Sequence, residues 1–370
     1  MASSARLIAY YLPQFHPIPE NDEWWGKGFT EWTNVVNAKP LFPGHDQPNL
    51  PSELGFYDLR VPETRMAQAE LAREHGIEGF CYWHYWFGDG RRLLERPFNE
   101  VLNSGEPDFP FCLAWANQTW TGVWHGAADR ILIEQAYPGL ADYRAHFYAV
   151  LDALSDRRYM TIEDKPIFLI YRPDELPDQR AFTDCWRELA HQAGFKGLYL
   201  IGVRYGPWNP QENGFDAAAP THVLRAFAAS EIPEVRRMMR VKAALLAGNP
   251  RLVRWRAWRK PRRIAYERAV ELCTQPLAND FLEFPTVHPN WDNTPRSGME
   301  GVVFMDSTPE KFGRHLREVI GQVAHRNHDQ RIVFLKSWNE WAEGNYLEPD
   351  QRFGRAYLQM VKQVADGLHA

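Results

Sequence analysis

The sequence predicts a barrel of eight parallel strands alternating with helices, a (β/α)8 TIM barrel. Three observations lead there. Eight short apolar runs recur along the 370 residues. Most are continuous rather than alternating in polarity, as strands buried on both faces are. Helix-compatible stretches separate them, and strand followed by helix, repeated, builds a parallel sheet covered by helices.

The runs come in this order: "RLIAYYL" (6–12), "GIEGFCYWHYW" (76–86), "FPFCLAWAN" (109–117), "KPIFLIYR" (165–172), "GLYLIGVRY" (197–205), "GFDAAAP" (214–220), "FPTVHPNWD" (284–292) and "RIVFLKSWNEW" (331–341). The sixth is the weakest, being short and ending in Pro. Between the first two, "TRMAQAELAREHG" (64–76) places Met66, Ala69 and Leu71 at helical spacing and ends in a Gly suited to a C-cap. "DYRAHFYAVLDALSD" (142–156), "QRAFTDCWRELAHQAG" (179–194) and "KFGRHLREVIGQVAHR" (311–326) repeat that pattern. A doubly wound open sheet is the rival, but no Gly-rich phosphate fingerprint follows the first strand. A hydrophobic fraction of 45% suffices for one large core. Barrels run this long as single units, so residues 1–370 are read as one catalytic domain.

One stretch breaks the rhythm. Residues 225–270 hold 13 Lys or Arg against 3 Glu, a surplus of +10, so the rest carries −15 of the total −5. A basic helical insertion is expected there. It is either a solvated helix pair or, with Trp255 and Trp258 among the arginines, a peripheral footing on anionic membrane. The overall charge does not suggest a nucleic-acid partner. Cys81, Cys112, Cys185 and Cys273 show no paired short spacing, so buried free thiols are expected rather than disulfides or a zinc site. "MASSARLIAYYLPQF" makes a poor secretory signal, and no apolar stretch nears the ~20 residues that span a bilayer. A cytoplasmic location follows as the default, with the basic stretch allowing contact with the inner membrane.

Active sites of such barrels lie at the C-terminal ends of the strands. That rule selects Tyr11 and Gln14 after the first strand, and His84 and Trp86 on the second. It selects Trp115 and Asn117 on the third, followed by Trp120 and Trp124, and Tyr171 and Arg172 on the fourth. The seventh supplies Asp292, and the eighth Trp338, Asn339, Glu340 and Glu343. Aromatic faces beside hydrogen-bonding groups are what sugars require. Glu340 and Glu343 stand three apart, close enough that one carboxyl should hold a proton while the other stays ionised. An acid beside a base is the requirement of glycosidic bond cleavage. The alternative is a pair of acids favoured by a helix N-terminus. No HExxH, GxSxG or GxxxxGK[ST] motif occurs, and neither metal nor cofactor is expected.

Long motifs carry a resemblance. "YYLPQFHPIPENDEWWGKGFTEWTNV" (10–35), "QPNLPSELGFYDLR" (47–60), "GFCYWHYWF" (79–87), "FCLAWAN" (111–117), "NWDNTPR" (290–296) and "WNEWAEGNYLEPD" (338–350) resemble the WbsX-type proteins of bacterial polysaccharide gene clusters. That family is similar in turn to glycoside hydrolase family 99, endo-acting α-mannosidases sharing the closing NEWxEG motif. The resemblance implies that Glu340 is a base deprotonating the sugar 2-hydroxyl, which closes on the anomeric carbon. It implies that Glu343 is acid and then base, with retention. The chain departs from the family pattern after "WAN", where Gln118, Thr119 and His125 replace expected polar and charged groups.

The function expected is a glycan-active enzyme of cell-surface polysaccharide (O-antigen or capsule) metabolism. Its partner would be an oligo- or polysaccharide, free or lipid-linked, in which it cleaves or transfers an α-mannoside-like linkage. A glycosyltransferase using a nucleotide-sugar or lipid-linked donor is the alternative, though no DxD-like pair stands at a strand end. A glycan-binding module on a degenerate barrel should have lost one of the acids.

Overall fold

A computed structural model describes residues 5–122, 127–204, 208–220, 260–274 and 280–367. All eight apolar runs contain a strand of one parallel sheet: β1 Arg6–Tyr11, β2 Gly79–Trp86, β3 Phe111–Trp115, β4 Lys165–Ile170, β5 Tyr199–Gly202, β6 Ala217–Ala218, β7 Thr286–Val287 and β8 Ile332–Leu335. The strands lie side by side in the order β6, β5, β4, β3, β2, β1, β8, β7, every neighbour parallel. At the outer edges Ala218 donates its N–H to the Leu282 carbonyl (3.0 Å) and accepts from the Phe284 N–H (2.7 Å). Every residue of β1 and of β2 is buried, as it must be when both faces of a strand are covered.

Four helices take the places the apolar periodicity predicts: α1 Pro62–Glu74, α2 Leu140–Leu154, α3 Gln179–Gln192 and α4 Pro309–Val323. Their starts have local causes. Asp178 accepts the Ala181 N–H at the N-cap of α3, and Thr308 accepts that of Lys311 ahead of Pro309 in α4. The cysteines are free and buried, with Cys81 and Cys112 facing each other across β2 and β3. Among the described residues no helix is long and apolar enough to cross a membrane.

The expected basic insertion needs a correction at its C-terminal end. Residues 225–259 lie outside the described residues. Arg262–Ala265 is not helical: it is a strand paired in parallel with Val302–Met305, and a helix starts only at Tyr266. Charge count masked the strand, because within it only Ile264 is buried while its neighbours are exposed.

The fold positions the site through Asn339. This fully buried side chain accepts the Leu12 N–H (2.7 Å) and donates to the Leu12 carbonyl (3.0 Å), tying the loop after β8 to the loop after β1. Asn339→Leu would strand both backbone groups without water. It should lower unfolding free energy by roughly 2–5 kcal/mol in urea titration, whereas a loss under about 1 kcal/mol would deny the clamp this role.

Candidate active site

Beyond β8 the chain makes a tight reversal. Asn339–Glu340 pairs antiparallel with Asn345–Tyr346, and a single 3-10 turn, Trp341–Glu343, joins them. Gly344 sits at φ +63°, and a Cβ there would fall 2.7 Å from the Asp292 backbone nitrogen. The reversal holds Glu340 and Glu343 on either side of one guanidinium. Arg296 donates from Nη1 to Glu343 Oε1 (2.7 Å), from Nη2 to Glu340 Oε2 (3.2 Å) and from Nε to Glu31 Oε1 (2.8 Å). Glu31 opens the helix Glu31–Asn37 after β1, and Arg296 lies on the short helix Thr294–Ser297 after β7. Lys336, one residue past β8, places Nζ 3.4 Å from Glu343 and 3.9 Å from Glu340. Its ammonium also lies over the rings of Trp83 (5.8 Å) and Trp291 (5.6 Å). Trp83 donates its indole N–H to Glu340 Oε1 (3.1 Å), and Asn345 Nδ2 donates to Glu343 Oε2 (3.3 Å).

Arg296, Lys336, Glu340 and Glu343 floor a cavity of about 160 Å³ walled by Gln14, Trp83, Tyr85, Gln118, Trp120 and Tyr171. Tyr10 stacks under Trp83 (4.9 Å), Tyr171 meets Trp83 edge-on (5.4 Å), and Trp120 meets Tyr85 likewise (5.1 Å). The Gln14 Nε2 is buried and has no hydrogen-bond partner among the described residues.

The two glutamates are driven apart. Burial and the neighbouring Glu343 push the Glu340 carboxyl above its ordinary range, and Lys336 and Arg296 only partly offset them. Burial acts on Glu343 in the same direction, but there Lys336, Arg296 and the Asn345 amide outweigh it, and the carboxyl ends below its ordinary range. Burial also raises Glu31, against the pull of Arg296. Such a cleft can offer a proton and accept one at neighbouring points. Among the described residues no group of three or more His, Cys, Asp or Glu is arranged to hold a metal ion.

Of the residues expected from the sequence, Glu340, Glu343, Gln14 and Tyr171 meet at this cavity, with Trp120. The others go elsewhere. Tyr11 donates to Gln68 on α1, Trp86 donates to Asp142 on α2, and His84 bonds His146 on α2. Trp115 packs on His146 and Phe182, and Trp338 is buried against Phe80. The four on β1, β2 and β3 belong to the helix-facing side of the sheet, because strand parity there is one residue from the expected one, and Trp338, past the end of β8, packs on Phe80 of that same face. Asn117 is spent on Tyr137 and the Arg172 backbone, and the Arg172 side chain pairs with Glu175. Asp292 is satisfied by His45, Gln47 and Thr294 in an adjoining polar cavity, and Asn339 is the clamp described above. Trp124 and His125 lie outside the described residues. The sequence reading missed Arg296, Lys336, Glu31, Trp83 and Tyr85. Arg296 closes "NWDNTPR", Glu31 lies in "GFTEW", and Trp83 and Tyr85 alternate with the residues chosen on β2.

Residues 7–361 match the family described as Glycosyltransferase WbsX. Two proteins described as uncharacterized protein WxcX, from strain B100 and a second strain of Xanthomonas campestris pv. campestris, are each 39% identical over 365 residues. The match takes in 97% of this chain and 49% of each relative, so the chain spans about half the length of the curated relatives it matches. Among solved structures, the GH99 endo-alpha-mannosidase from Bacteroides thetaiotaomicron in complex with bis-tris-propane is similar with a TM-score of 0.59 at 14% identity, covering 98% of this chain and 96% of that one. A glycoside hydrolase-like protein gives 0.59 and 14% over 100% and 95% of the two chains. At such identity the likeness is one of fold.

A further acid, Glu348, braces the reversal from behind. Its buried carboxylate accepts from Tyr57 Oη (2.7 Å), Gln68 Nε2 (2.6 Å) and Trp341 Nε1 (2.7 Å). Burial pushes it up to about 7, although these donors pull it down. A carboxyl raised on folding binds its proton more tightly in the folded chain. Stability contributed this way is full below the unfolded value and is lost as pH rises through about 7. A shift from 4.5 to about 7 corresponds to roughly 3 kcal/mol. Glu348→Gln should therefore flatten the fall of Tm between about pH 5 and pH 8, and an unchanged slope would assign that fall to other groups.

Proposed function

This chain belongs to the WbsX glycosyltransferase family, and from that premise we propose that it is a glycan-active enzyme of cell-surface polysaccharide metabolism. It cleaves or transfers an α-mannoside-like linkage with retention, at the mouth of a (β/α)8 barrel completed across Ala218. One observation carries the reading: two glutamates of opposite electrostatic bias share the Arg296 guanidinium on the floor of an aromatic-walled cavity.

The chemistry needs one proton and one base. The ionised glutamate takes the proton of the sugar 2-hydroxyl, whose oxygen closes on the anomeric carbon as the glycosidic C–O bond breaks. The protonated glutamate gives its proton to the departing oxygen. Water or an acceptor hydroxyl then opens the three-membered ring while the protons return, and configuration is retained. In the free site burial and Glu343 bias the proton toward Glu340, while Lys336 and Arg296 bias the charge toward Glu343, the reverse of the order the resemblance implies. With water the steps give hydrolysis; a glycosyltransferase using a lipid-linked or nucleotide-sugar donor is the alternative reading, in keeping with the family's description. The basic stretch at 225–270 would place a lipid-linked substrate beside an anionic membrane.

Two experiments test this. Glu340→Gln is expected to lose about 10²–10⁴-fold on an unactivated α-mannoside, yet less than about tenfold on a nitrophenyl α-mannoside, whose leaving group needs no proton. Glu343→Gln should lose both activities. The opposite pattern restores the order implied by the resemblance, and unaffected turnover in both variants removes the pair from catalysis. For the membrane contact, sedimentation with anionic liposomes should weaken steeply as salt rises, and binding indifferent to salt and lipid charge would refute it.

A further inference from the structure

The two cations of the cavity are not placed evenly between the glutamates. Arg296 lies 2.7 Å from Glu343 and 3.2 Å from Glu340, and Lys336 lies 3.4 Å and 3.9 Å from the same two groups. Both therefore favour a negative charge on Glu343. Arg296 is shared with a third acid, Glu31, at 2.8 Å, so its charge is largely matched on the side away from the cavity. Among the described residues the Lys336 ammonium pairs with no third carboxylate. It is held over the faces of Trp83 and Trp291 and directed at the glutamate pair alone.

We propose that Lys336 is a positioning residue that fixes the negative charge of the pair on Glu343 and leaves the shared proton with Glu340. The inference deepens the reading given above and assigns a residue to its proton order. Counting charges supports it. Glu31, Glu340 and Glu343 share two cations in a largely buried cluster, so charge balance favours one of the three keeping a proton. Remove Lys336 and three acids face one guanidinium, so a second proton must bind. The hydroxyls of Tyr85 on β2 and Tyr171 after β4 also line the cavity, and burial, with Glu340 beside it, pushes the Tyr85 phenol well above its ordinary value. They cannot replace the lost cation. Two rigid indoles around a flexible amine also explain why a Lys suits the position. The aromatic faces fix the ammonium without consuming its donors, which stay free for the carboxylates.

Titration by NMR tests this without any substrate. The whole chain is labelled with ¹³C at the glutamate carboxyl, and the two signals are identified by their loss in Glu340→Gln and Glu343→Gln. In the wild type, Glu343 is expected to ionise at lower pH than Glu340. Lys336→Met keeps the apolar stem between the indoles and removes the charge. It should raise the Glu343 midpoint by about one pH unit or more, a tenfold change in proton affinity. Lys336→Arg should leave it within about half a unit. A Met variant that titrates like the wild type overturns the proposal, as does a wild type in which Glu343 ionises after Glu340. The second readout stands even if the Met variant does not fold, which near-UV circular dichroism would reveal. Because no sugar is involved, failure here leaves the glycan reading intact, and an inactive protein with the expected titrations would count against that reading alone.

Discussion

Arg296 commits all three faces of its guanidinium to carboxylates, one from the loop after β1 and two from the loop after β8. Charges removed from water are tolerated only when they are matched and hydrogen-bonded. That requirement shapes the mouth of the sheet. Glu31, Arg296 and Glu340 are far apart in sequence, and only the adjacency of β1, β8 and β7 brings their loops to one point. Asn339 fixes the β8 loop to the β1 loop, and Glu348 braces it from beneath. Lys336 then supplies the second cation. The aromatic walls lower the local dielectric, which strengthens each of these interactions and gives any unpaired member a heavy penalty.

The architecture was largely legible. Continuous apolar runs report burial on both faces, and each of the eight contains a strand, including the short "FDAAAP", which yields only the two residues Ala217–Ala218. The same property hid the orientation of the side chains. A strand with one wet face advertises by alternation which residues point inward, but "GFCYWHYW" is apolar and aromatic throughout, so either parity fits. Choosing His84 and Trp86 over Trp83 and Tyr85 placed the helix-facing set at the cavity. The same slip selected Trp115, where the residue lining the cavity is Ala116.

The candidate acids were found because two like charges beside aromatics in one turn demand a reason. Their cations escaped notice because a single Arg or Lys in a loop has none of that local tension. The closing Arg of "NWDNTPR" gains meaning only when three loops converge, a fact of topology rather than of spacing. Asp292 is selected by its place at the end of the seventh apolar run. In the fold its carboxylate is taken up by His45, Gln47 and Thr294, and it serves to hold the neighbouring loop. Composition misled in a different way at 262–265, where arginines flank one buried Ile on a strand.

Gly344 has a bearing on how such a site would be mapped. Its left-handed backbone and its closeness to Asp292 leave no room for any side chain. A saturation scan would thus score position 344 as severely as the two acids that precede it, although it reacts with nothing. Intolerance there records crowding between two loops. Sorting chemistry from crowding in this segment calls for isosteric replacements of the acids, not for a tally of which positions refuse to vary.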